Sequence, residues 1–136
     1  MSIEPSPEKI ERAFERAAPC RICPRHCEVN RPEGEKGYCG TGRLPLVASA
    51  APHFGEEKPL VGRGGSGTIF FAGCNLGCVF CQNYRLSQGL QGQPRTPEEL
   101  SELMLELQGR GCENINLVTP SHVVPLPPVR GALLAP

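Results

Sequence analysis

A short apolar run, Thr68-Ile69-Phe70-Phe71, leads directly into three cysteines, Cys74, Cys78 and Cys81, spaced C-x3-C-x2-C. No other stretch restricts the chain as much. The run has the length and residue types of a buried β-strand. Gly73 and Gly77 relax the backbone on either side of Cys74, so a tight loop can turn its thiols the same way. Whatever the chain folds into must carry a strand that delivers a three-cysteine loop.

Such a loop is a means of holding an iron–sulfur cluster. Three thiolates leave one iron of a 4Fe–4S cube without a protein ligand, free to bind a small molecule. Electron-transfer clusters usually take four cysteines, and tetrahedral structural zinc also takes four ligands.

The text GTIFFAGCNLGCVFCQNYRLSQG resembles the cluster loop of radical S-adenosylmethionine enzymes, and within them the pyruvate formate-lyase activating enzyme-like branch. The resemblance runs from about Cys20 to about Val124. It implies an α/β fold, the start of a partial (β/α) barrel preceded by a loop-rich cysteine-containing segment. It implies Cys74, Cys78 and Cys81 as ligands of a 4Fe–4S cluster whose open iron chelates the amino and carboxylate groups of S-adenosyl-L-methionine. In that family an electron from the reduced cluster cleaves the sulfonium, giving methionine and a 5′-deoxyadenosyl radical that takes a hydrogen from the substrate. The implied partners are a reducing electron donor such as flavodoxin or ferredoxin and, for an activating enzyme, a protein substrate that becomes a glycyl radical. The competing readings are a catalytically incomplete iron–sulfur or zinc-binding fragment, and a zinc-ribbon interaction domain.

The chain has 136 residues and zero net charge. That length suits one domain, and the charge balance indicates neither nucleic acid nor a membrane surface as partner. No apolar run approaches the roughly 20 residues of a membrane span. The charged N-terminus, MSIEPSPEKIERAFERAA, lacks the apolar core of a signal peptide, so a cytoplasmic location is expected. Eight cysteines without an export signal favour metal or redox chemistry over disulfides. With 16 glycines, 15 prolines and no tryptophan, much of the chain should be loop, over a core of Leu, Val, Ile and Ala.

In chain order, Ser6-Pro7-Glu8 reads as a helix start, with Ile10, Ala13, Phe14 and Ala17 forming an apolar stripe that packs on the domain. The segment CRICPRHC then supplies Cys20, Cys23 and Cys27, and Cys39 follows in GYCGTGR. These four are candidate ligands of a second metal site, either zinc or a second iron–sulfur cluster, with His26 as a substitute ligand. Leu44–Ala51 reads as a strand, followed by a turn-rich link from Pro52 to Glu57. His53 in that link is either a structural residue or one facing the site. Residues 62–67 match G-x-G-x-x-G, but they precede a strand instead of opening a helix. A flexible connector is therefore expected, not a dinucleotide site.

After the cysteine loop, Tyr84 either lines the cofactor pocket or belongs to the core. Ser87–Pro94 reads as a polar loop. Thr96-Pro97-Glu98-Glu99 predicts a capped helix start, and Leu100, Leu103, Met104 and Leu107 its buried stripe. Gly109 and Gly111 end the helix. Cys112 is expected to be buried as a small apolar residue. Asn114–Thr119 reads as a second strand, parallel to the first across a right-handed βαβ unit.

At the end of that strand the resembling enzymes often carry a Gly-Gly-Glu-type motif that holds the cofactor's amino group. Here Thr119-Pro120-Ser121-His122 stands in its place, with Ser121 and His122 as candidate cofactor contacts. The sequence thus divides into residues 1–61, an N-terminal helix and cysteine-rich metal segment; residues 62–124, the first βαβ unit; and residues 125–136, an irregular Pro-rich tail. Pro125, Pro127 and Pro128 prevent a regular helix in that tail. The roughly 70 residues from Thr68 onward hold about one βαβ unit at ~30 or more residues each, whereas a (β/α)8 barrel needs about 250. A truncated or frame-shifted version of a longer protein is the expectation, with the tail foreign to the fold.

Overall fold

A computed structural model describes residues 6–124; the expectation for the Pro-rich tail lies outside them. Helix α1 (Pro7–Glu15) opens the chain, and a loop-rich stretch containing Cys20 to Cys39 leads to β1 (Leu46–His53). A single-turn helix α2 (Lys58–Val61) precedes β2 (Ser66–Phe71). The cysteine loop runs into α3 (Tyr84–Gly89), and the two-residue β3 (Gln93–Pro94) leads to α4 (Pro97–Gly109) and β4 (Asn114–Val118).

The sheet order is β3-β1-β2-β4. Strand β2 is parallel to β4, with Ile69 opposite Leu117 and Phe70 opposite Val118. The βαβ unit therefore forms as the hydrophobic runs require. Strand β2 has a neighbour on each side, which is why its residues are buried almost without alternation. Helix α4 covers one face. Leu100 and Leu107 join Val47, Ile69, Phe71 and Val123 in the core, with Leu103, Met104, Cys112 and Leu117 packed against it. The start of α4 is a complete capping box. The Glu99 amide donates to Thr96 Oγ1 at 3.2 Å, and the Thr96 amide donates to the Glu99 carboxylate at 2.8 Å.

Several expectations need correction. The sheet takes β1 from the N-terminal segment and pairs it antiparallel to β2 from Val47–Phe71 to His53–Ser66. Pro52 and His53 thus end a strand and are not part of a turn. The glycine stretch before β2 is packed, not a flexible connector. A Cβ on Gly64 would collide with the Gly111 carbonyl, and one on Gly67 would lie 2.8 Å from the Asn114 carbonyl oxygen. Glycine is what lets the entry to β2 lie against the turn before β4. Part of the expected polar loop, Ser87–Pro94, is instead the end of α3 and the short β3. In α1 the Ser6 hydroxyl makes no capping bond, and Ile10, Ala13 and Phe14 are only half-buried. The architecture is a mixed α/β arrangement around four strands, and one parallel pair does not by itself make a barrel.

Candidate functional site

The site grows out of the C-terminal end of β2. Ala72 is fully buried, and its amide bonds to the Leu46 carbonyl at 2.8 Å. Gly73, at φ +83°, turns the chain out of the sheet. A side chain there would press on the Cys39 carbonyl and on Thr41 Oγ1. The loop then carries Cys74, Cys78 and Cys81, all half-buried and all free thiols. Its apolar residues point the other way: Leu76, Val79 and Phe80 are 63, 93 and 87% exposed.

Two donors already address the sulfurs. The Leu76 amide lies 3.4 Å from Cys74 Sγ, and the Ser87 hydroxyl 3.7 Å from Cys81 Sγ. Cys74 and Cys81 open onto a pocket of about 60 Å³ shared with Asn83, Ser87, Val118 and Thr119. It lies at the C-terminal ends of the parallel strands β2 and β4, where α/β sheets place their ligands.

Of the other expected site residues, none lines this pocket. Tyr84 begins α3 and is 58% exposed, because the first turn of that helix directs its ring to solvent. Ser121 is exposed in the 3-10 turn Pro120–His122. That turn folds the His122 ring under the loop. The ring is buried, its Nε2 lies 3.2 Å from the Ala72 carbonyl oxygen, and Nδ1 has no partner. Burial lowers the His122 pKa below its ordinary 6.5, and the Arg31 guanidinium pushes it the same way. Arg31 is itself buried and donates to the carbonyls of Gly42 at 3.0 Å and His122 at 2.8 Å.

Sequence reasoning did not assign Asn83, Leu86, Ser87, Val118 or Thr119 to the pocket they line. Asn83 and Ser87 stand four apart, one turn of helix. Placing the start of α3 at Tyr84 would have put them together.

The N-terminal cysteines lie in the loop-rich stretch beside the site. Cys20 is buried, and its amide bonds to the Val29 carbonyl at 2.9 Å. Cys27 Sγ accepts from the Tyr38 amide at 3.4 Å, and the Cys39 carbonyl abuts Gly73. Among the described residues, no three His, Cys, Asp or Glu side chains are grouped as a metal site. The donor set of the loop nonetheless fits a three-thiolate cluster. It has three half-buried thiols, two hydrogen-bond donors aimed at sulfur, and glycines where a side chain would meet its neighbours.

The class defined by the fold and the loop is a mixed α/β protein with a three-cysteine loop at the C-terminal ends of a parallel strand pair. Comparison with known families is specific. Residues 68–124 match the model described as Radical SAM superfamily.

Among curated proteins, an uncharacterized protein of Methanocaldococcus jannaschii is 35% identical over 117 residues, a match covering 81% of this chain and 33% of that protein. A second uncharacterized protein of the same organism is 31% identical over 109 residues, covering 63% of this chain and 30% of its own length. The chain thus spans about a third of the length of the curated relatives it matches. No solved structure matches it. No helix among the described residues is long and apolar enough to cross a membrane.

Proposed function

We propose that Cys74, Cys78 and Cys81 hold a 4Fe–4S cluster and that the chain acts as a radical S-adenosylmethionine protein of the glycyl-radical activating type. The observation that carries this reading is the pocket shared by Cys74 and Cys81 with Val118 and Thr119, at the C-terminal ends of β2 and β4. When bound, the cluster and its cofactor supply reductive cleavage to a 5′-deoxyadenosyl radical. The residues of the chain do the rest. The Leu76 amide and the Ser87 hydroxyl hold the Cys74 and Cys81 sulfurs through hydrogen bonds. Val118 and Phe71 give the pocket an apolar wall, which keeps water away from a reactive intermediate. Cys20, Cys23, Cys27 and Cys39 are proposed as a second site, for zinc or a further iron–sulfur cluster. A flavodoxin or ferredoxin is the proposed electron source, and a protein glycine the proposed target.

Anaerobic purification with iron, sulfide and zinc analysis is the first test, followed by reduction and assay for 5′-deoxyadenosine. Four irons at the loop and nucleoside formation support the proposal. Brown protein without nucleoside leaves a cluster-binding module, and colourless zinc protein removes the cluster assignment.

A further inference from the structure

We propose that Arg25 is a positioning residue for the cysteine loop, holding one peptide group so that its amide points at the Cys74 sulfur. The inference deepens, and rests on, the reading of this loop as a cluster loop.

Arg25 lies in CRICPRHC, fifty residues before the loop. Its Nε donates to the Asn75 carbonyl at 2.8 Å and its Nη2 to the Leu76 carbonyl at 3.0 Å. The guanidinium lies 3.8 Å over the Tyr38 ring, a stack that limits its freedom to leave. The Tyr38 hydroxyl in turn occupies the space where a Gly77 side chain would project. The N-terminal segment therefore grips the loop at consecutive residues.

The consequence follows from peptide geometry. The Asn75 carbonyl and the Leu76 amide belong to one planar trans group, so they point in opposite directions. Fixing that carbonyl on Arg25 turns the amide toward Cys74 Sγ, where it lies at 3.4 Å. Hydrogen bonds to cluster sulfurs raise the reduction potential. A fixed guanidinium fork on the N-terminal segment would thus set how readily the loop's cluster is reduced. Lysine cannot substitute fully, because a point-charge ammonium does not hold two carbonyls in a fixed fork.

The test has two readouts. On metal-free protein, hydrogen exchange at the Leu76 amide should become roughly tenfold faster in Arg25→Ala, the factor expected for one ordinary hydrogen bond, while amides of α4 stay at the wild-type rate. Tyr38→Leu should give a smaller acceleration at the same amide and serves as the second variant if Arg25→Ala does not fold. On reconstituted protein, the cluster potential should move to more negative values in Arg25→Ala and be only partly restored in Arg25→Lys. Wild-type exchange at Leu76 in both variants overturns the proposal. Full restoration of the potential by lysine overturns it too, since charge alone would then explain the effect. If the wild-type chain takes up no iron, the cluster reading fails, while the exchange result still decides the role of Arg25.

Discussion

The buried ring of His122 reaches the carbonyl of Ala72 at 3.2 Å, tying the turn after β4 to the residue from which the cysteine loop departs. Its Nε2 must carry the proton to donate there. Nδ1, unprotonated in the neutral ring, has no partner.

That arrangement makes stability fall in acid. Burial lowers the folded pKa of His122, so between that value and 6.5 the unfolded chain binds the proton that the folded chain refuses. Stability is then present above 6.5 and is lost as pH falls through the interval. Melting temperature should decline from pH 7.5 toward 5.5, and His122→Gln should flatten the decline. Equal slopes in the two proteins would count against it.

Removing the ring altogether frees the Ala72 carbonyl in a dry environment. His122→Ala is expected to cost about 1–3 kcal/mol in denaturant unfolding, the range for a buried polar group left unpaired.

The capping box of α4 makes a smaller claim. Thr96→Ala should lower stability by about 1 kcal/mol, and Thr96→Ser by less, because serine keeps the acceptor for the Glu99 amide. Urea midpoints at constant slope would measure both.

Gly64 is the strictest steric test. Its missing Cβ would run into the Gly111 carbonyl, and that acceptor is backbone, not a mobile side chain. Gly64→Ala should destabilise by about 1–3 kcal/mol, as overpacking does. A neutral result would mean that β2 does not lie against the turn before β4 as described.

Under the proposed function, Cys74→Ala, Cys78→Ala and Cys81→Ala should each lose most of the loop's iron. Cys112→Ala should keep it, because Cys112 packs against the core away from the loop. Replacing Cys20, Cys23, Cys27 and Cys39 together should remove only the metal in excess of the loop cluster. Metal analysis of the purified variants separates these outcomes.

The parts legible in the sequence were those governed by near neighbours. The run Thr68–Phe71 announced β2, the Thr96-to-Glu99 spacing announced the cap, and the leucine stripe announced the buried face of α4. The antiparallel pairing of β1 was not legible. Its Ala48-Ser49-Ala50-Ala51 centre has no strong alternation, and its partner lies beyond a separate helix. Helix α3 was obscured by its polar residues and Gly89. The Arg25 fork and the His122 contact join residues about fifty apart, where no periodicity carries information. The three cysteines signalled a metal loop at once, but the pocket beside them depends on where β4 and α3 end.

The antiparallel strand has one more consequence. Strand β1 runs against β2, and β3 runs against β1 over two residue pairs, so β3 points the same way as β2. Among the described residues β4 has a neighbour on one side only, and its other edge presents unpaired amides and carbonyls. The cysteine loop therefore hangs from a strand enclosed on both sides, one position in from the open edge of the sheet.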